Sequence, residues 1–134
     1  MQGERLGEES GSVTTQRVLP NPGGTPKMET TFKASGTLLG VGHATTGTYA
    51  SVLRPDGTLY GEGQGLVMGQ GGEMASWVGQ GVGTLKQGGA VSFRGAVYYQ
   101  TSSAKWSRLN GVATIYEYEV DAQGKTSAQF WEWK

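Results

Sequence analysis

The stretch at residues 61–99, GEGQGLVMGQGGEMASWVGQGVGTLKQGGAVSFRGAVYY, constrains the fold more than any other. Glycine takes alternate positions twice: Gly61, Gly63 and Gly65, then Gly79, Gly81 and Gly83. A period of two is the period of a β-strand, so each triplet lies on one strand face. Glycine inside a strand weakens it and marks a bend or a close approach of backbone or ligand. Two strands with matching glycine faces imply a sheet that curls hard enough to close.

Turn clusters punctuate the rest: PNPGG at 20–24, VGH at 41–43, PDG at 55–57, GQGG at 69–72, KQGG at 86–89 and DAQG at 121–124. Such residues supply the backbone angles of tight turns. Between them lie segments rich in Thr, Val, Tyr and Trp, of a length that suits strands. They predict strands over 6–19, 27–39, 45–54, 58–68, 73–85, 90–101, 108–120 and 125–133. The connection 102–107 has room for one helical turn. The second segment alternates most clearly: Met28, Thr30, Phe32, Ala34, Gly36 and Leu38 share one face, and Glu29, Thr31, Lys33 and Ser35 the other. Short connections favour antiparallel neighbours, and closing such a meander removes exposed edges. The fold class expected is all-β, an eight-stranded antiparallel up-and-down β-barrel spanning 1–134 as one domain, with residues 1–5 frayed.

Composition limits function. The 134 residues contain no cysteine, and eleven basic residues balance eleven acidic ones. No disulfide or thiolate metal site is possible. Without a basic run, no nucleic-acid partner is expected. No apolar run is long enough to span a membrane as a helix, and the charged start MQGERLGEESGS is no secretory signal, so a cytoplasmic location is expected. One histidine and scattered carboxylates predict no metal and no cofactor. GEGQGL opens like a dinucleotide loop, but Leu66 replaces the third glycine and no helix follows.

The polar residues inside predicted strands are the candidates for chemistry. Tyr60, Glu62, Gln64 and Met68 share a face of the fourth strand; Val78, Gln80 and Val82 share one of the fifth; Arg94 and Tyr98 share one of the sixth. If these faces point inward, they line a largely apolar cavity with a few polar anchors, Asn110 among them. Glu62 and Arg94 would then orient a ligand through the Arg fork. The opposite arrangement, with the glycines inward and Glu62 and Arg94 as surface charges, satisfies the same pattern. An acid–base role for Glu62 would require burial to raise its pKa. His43, in the VGH turn, is expected to be solvated. Trp131 and Trp133 fall on one face of the last strand and Phe130 on the other; core packing accounts for them, and a subunit contact is the alternative.

The runs GEGQG, GEMASWVGQGVG, SFRGAVYYQT, KWSRLNGVATIYEYEVDAQG and FWEWK resemble a family of uncharacterised bacterial small barrels similar to the allene oxide cyclase-like barrels, which are calycin-like in architecture. The resemblance runs from about Ser10 onward and implies a central cavity and a homo-oligomer, a dimer or trimer. It implies no catalytic residue at a defined position. The function expected is binding of a small apolar or amphipathic molecule in the lumen. Two alternatives are a cofactor-independent cyclase or isomerase of an unsaturated, fatty-acid-like or polyketide-like substrate, and a structural oligomerisation module.

Overall fold

The computed structural model of the protein describes residues 2–134. Eight strands run in sequence: β1 (Gln2–Val18), β2 (Lys27–Leu38), β3 (Val41–Leu53), β4 (Thr58–Gly69), β5 (Met74–Leu85), β6 (Val91–Thr101), β7 (Thr114–Val120) and β8 (Lys125–Trp133). Each pairs antiparallel with the next, and β8 pairs back onto β1, so the barrel is closed and no edge is left open. No helix among the described residues is long and apolar enough to cross a membrane.

Three boundaries differ from expectation. β1 begins at Gln2, not near Leu6, because Gln2 pairs with Trp133 and Arg5 with Trp131 across the closing seam. Residues 2–5 therefore belong to the ladder and are not frayed; Met1 lies outside the described residues. β3 begins at Val41, because the β2–β3 turn is only Leu39 and Gly40, both with positive φ (49° and 77°). Two left-handed residues in a row make the hairpin turn that matches strand twist. The seventh strand starts at Thr114, and residues before it form a 3₁₀ segment, Ala104–Gly111.

The glycine triplets face inward. Their strands alternate so that Leu59, Gly61 and Val67 of β4 and Ala75, Gly81 and Gly83 of β5 are buried. The glycines pair across the wall, Gly61 with Gly81 and Gly63 with Gly79, and Gly81 also with Gly95. Their missing side chains make room for rings from other strands. A Cβ at Gly47 would lie 2.7 Å from Trp77 and 2.8 Å from Phe32, and one at Gly83 would lie 2.8 Å from Phe93. Trp77 likewise lies against Gly65, and the Tyr116 hydroxyl against Gly81. A barrel of eight strands has only enough interior for side chains, so large rings need glycine opposite them.

One end of the barrel is plugged. Trp106 and Leu109 of the 3₁₀ segment are fully buried, and Trp106 Nε1 donates to the Leu38 carbonyl over 2.9 Å. Arg108 ties the segment to both chain ends through Glu4 (3.1 Å) and Glu132. Asn110 clamps it to the end of β6: its Nδ2 donates to the Thr101 carbonyl (2.9 Å) and its Oδ1 accepts from the Thr101 amide (2.8 Å).

Candidate site in the barrel lumen

Residues from most strands turn inward to surround a cavity of about 70 Å³. Its walls are aromatic: Phe32 and Tyr49 from one side, Trp77 and Phe93 from the other, Tyr116, Tyr118 and Phe130 closing the ring. Phe32, Tyr49 and Tyr118 pack at centroid distances of 5.4–6.1 Å, within the range of tilted and edge-to-face pairs. Gly61, Gly63 and Gly79 form a flat stretch of wall with no side chain.

The single carboxylate among the inward side chains at this cavity is Glu9, 8% exposed, on the inward face of β1. Gly7, Glu9, Gly11 and Val13 alternate on that face, so the carboxylate sits between two glycines. His43 Nε2 donates to Glu9 Oε2 over 2.8 Å, and Thr45 Oγ1 donates to the same oxygen over 2.9 Å. Both donors come from β3, where the two-residue turn puts His43 and Thr45 inward in register with β2. His43 Nδ1 is buried without a partner. A lone pair can be left this way at lower cost than an N–H, so the geometry fits the neutral Nε2–H tautomer. Because both bonds end on Oε2, Oε1 is the carboxylate atom left for the cavity.

The lumen also holds a set of tyrosine hydroxyls. Tyr118 donates to Tyr49 over 3.3 Å. Burial pushes the Tyr49, Tyr99 and Tyr118 hydroxyls up, with the Glu9 charge adding to the rise at Tyr99 and Tyr118, and burial pushes Tyr116 up to about 12. At neutral pH these groups are hydrogen-bond donors, not anions.

Of the residues expected in the cavity from sequence, Glu62 borders it beside Gly61 and Gly63, although exposed, and the others lie elsewhere. Tyr60, Glu62, Gln64, Met68, Val78, Gln80, Val82, Arg94 and Tyr98 are on the outer face of β4, β5 and β6, with Met68, Val78, Val82 and Tyr98 more than half exposed. The physical reason is that Trp77, Phe93 and Tyr99 occupy the alternate positions and take the interior. Glu62, Gln64, Val78, Gln80 and Tyr98 do come together, in a groove outside the barrel. Glu62 and Arg94 do not pair. Arg94 binds Glu119 (2.7 Å) and approaches Glu117 (4.0 Å), while Glu62 accepts from Tyr60 (3.3 Å). Tyr60 instead carries Arg54 over its ring at 4.6 Å. Asn110 is a clamp on the plug and not a cavity residue. Replacing it with alanine is expected to cost about 1–3 kcal/mol, since two Thr101 backbone groups lose their partners; urea unfolding checks this. His43, expected in a solvated turn, is buried in a strand. Phe130 points inward, and Trp131 and Trp133 point outward.

Sequence reasoning gave Glu9 and Thr45 no role and placed His43 in solvent. The one local signal for Glu9 is its alternation with Gly7, Gly11 and Val13. Among the described residues, no cluster of three or more His, Cys, Asp or Glu side chains is placed to hold a metal ion.

No family model matches this sequence, and no curated protein matches it. Several known structures are similar to it. A conserved protein of unknown function from Rhodopseudomonas palustris superposes with a TM-score of 0.83 at 9% identity, covering 96% of this chain and 95% of that one. A β-barrel-like protein from Acinetobacter baumannii AYE gives 0.82 at 12% identity, covering 98% and 94%. An enzyme from Penicillium herquei gives 0.68 at 17% identity, covering 96% and 92%. At such identities the likeness is one of fold. The chain is thus an all-β closed barrel similar to barrels of unknown function and to one enzyme, and the narrower allene oxide cyclase-like kinship has no family model behind it.

Proposed function

We propose that this barrel binds a small, largely apolar molecule in its lumen, with Glu9 Oε1 as the polar anchor. The observation that carries this reading is the aromatic cavity of about 70 Å³ with the buried, half-engaged Glu9 carboxylate on its wall. Apolar walls with a few placed polar atoms are the make-up of small-molecule sites. One water needs about 10–15 Å³ of such space, so this cavity takes a compact group. A long acyl chain would have to extend beyond it.

The test uses 4-fluorophenol, a compact ring with one donor, followed by ¹⁹F NMR. Wild-type protein is expected to shift the probe resonance saturably. Gly79→Val puts bulk at the cavity wall: its Cβ would meet the Ala96 carbonyl at 3.2 Å and Val97 at 3.5 Å, a close but not prohibitive approach, and its two γ-methyls add volume beyond that. This variant is expected to keep its fold and to lose at least about tenfold in affinity, or about 1.4 kcal/mol. Equal binding by both proteins would overturn the lumen assignment.

A second reading, cofactor-independent cyclisation or isomerisation of an unsaturated substrate, is favoured by the Glu9–His43 pair. A carboxylate backed by an imidazole is a proton acceptor at the cavity edge. Shape and a few hydrogen bonds then hold the reactive conformer. Kinship with allene oxide cyclase-like barrels belongs to this reading. Turnover of an unsaturated epoxide lost in Glu9→Gln, with binding retained, would support it; turnover unchanged in that variant would remove Glu9 from the chemistry.

A further inference from the structure

We infer that the lumen is a receptor for a compact organic cation, of the methylated-ammonium class, held by the aromatic rings and countered by Glu9. This rests on the lumen being the ligand site and names the chemistry it selects. Three observations converge on it. First, the cavity is lined mainly by aromatic rings: Phe32, Tyr49, Trp77, Phe93 and Tyr118 pack into one cluster with Glu9 on the same cavity. Cations are attracted to the negative faces of such rings, most strongly to tryptophan, and ammonium ligands are recognised in cages of this kind.

Second, the charge in the lumen is unbalanced. Two donors, His43 Nε2–H and Thr45 Oγ1–H, converge on Glu9 Oε2, which stabilises charge on that oxygen. The one basic side chain that reaches Glu9 is His43, and the surroundings of its second ring nitrogen disfavour a doubly protonated ring. A protonated imidazole would leave an Nδ1–H buried with no acceptor, which costs more than an unpartnered lone pair. Among the described residues, no lysine or arginine lines the cavity. A buried carboxylate without a counter-charge is costly, and a bound cation removes that cost.

Third, size selects the head group. A volume of about 70 Å³ suits a compact group, and a trimethylammonium or tetramethylammonium group meets that limit. A neutral group of the same shape would fill the space and leave the charge unanswered.

The experiment compares tetramethylammonium chloride with 2,2-dimethylpropan-1-ol, a neutral molecule of similar shape, by isothermal titration, with potassium chloride as the salt control. Tetramethylammonium is expected to bind at least about tenfold more tightly than the alcohol. Glu9→Gln keeps an acceptor oxygen for the alcohol but removes the counter-charge, so it is expected to weaken tetramethylammonium at least about tenfold, the alcohol by less, and so to erase the preference. Should Glu9→Gln fail to fold, Trp77→Phe serves: it keeps a ring of weaker quadrupole and is expected to weaken only the cation, severalfold. Equal or tighter binding of the alcohol overturns the cation assignment while leaving lumen binding intact. Binding of 4-fluorophenol without tetramethylammonium has the same meaning. Failure of all three probes overturns both readings.

Discussion

Trp106→Ala is expected to lower the unfolding free energy by about 3–5 kcal/mol, the largest loss of any single truncation in the chain. Three features set the size of the effect. The side chain is fully buried, so its whole apolar area returns to a cavity. Its indole Nε1–H satisfies the Leu38 carbonyl at the β2–β3 turn, and that acceptor would lose its donor. The plug it anchors is a 3₁₀ segment, which has poorer internal hydrogen bonding than an α-helix and depends on such contacts. The lumen would also open at the Glu9–His43 end. Urea unfolding measures the loss as a shift in midpoint at unchanged slope. A loss below about 1 kcal/mol would mean that the segment does not seal the barrel.

The second large effect is alkaline. Four of the six tyrosines, Tyr49, Tyr99, Tyr116 and Tyr118, have hydroxyls held above the usual value by burial. Their neutral forms are favoured in the folded state, so the unfolded chain ionises first. Below pH 10 the contribution to stability is constant. Above it, stability falls as the unfolded chain loses protons that the folded chain keeps, and for Tyr116 this continues to about pH 12. A rise of two pH units is worth at most about 2.7 kcal/mol for a single group. Tyr116 is only partly buried and contributes less. The four together are expected to unfold the barrel between about pH 10 and pH 12. Tyrosinate absorbance and near-ultraviolet circular dichroism should then change in one cooperative step. Smooth titration of all six tyrosines with the fold intact would contradict the burial of the lumen rings.

The strands were legible because each carries Thr, Val, Tyr or Trp between turn residues, and because short connections force neighbours to pair. Their inward face was not legible in β4 and β5. Both faces carry apolar residues: Tyr60, Leu66, Met68, Val78 and Val82 alternate with glycines that offer no side chain to read. What decides the matter is non-local. Trp77 lies across Gly47 and Gly65, and Phe93 across Gly61 and Gly83, and no local pattern in the sequence joins those positions. The glycine triplets therefore signalled a curled wall correctly while hiding what filled it. His43 was misplaced for a different reason. Leu39 takes a left-handed conformation that its residue type does not advertise, so the turn is two residues long and ends before Val41. Glu9 sits in a strand whose pairing with β2 shifts register between Val13 and Thr15 and whose pairing with β8 shifts before Gly7. Such irregularities confine the regular alternation around Glu9 to Gly7–Val13, where two glycines leave little side-chain pattern to read.

Locating a bound probe decides between the lumen and the outer groove. Intermolecular nuclear Overhauser effects from 4-fluorophenol separate the two faces of the wall, because Val97 points into the barrel while Val78 and Val82 point out of it. A ligand in the lumen is expected to show contacts to the Val97 methyls and to the rings of Trp77 and Phe93. Contacts confined to Val78, Val82 and Tyr98 would place the site in the outer groove and contradict the account.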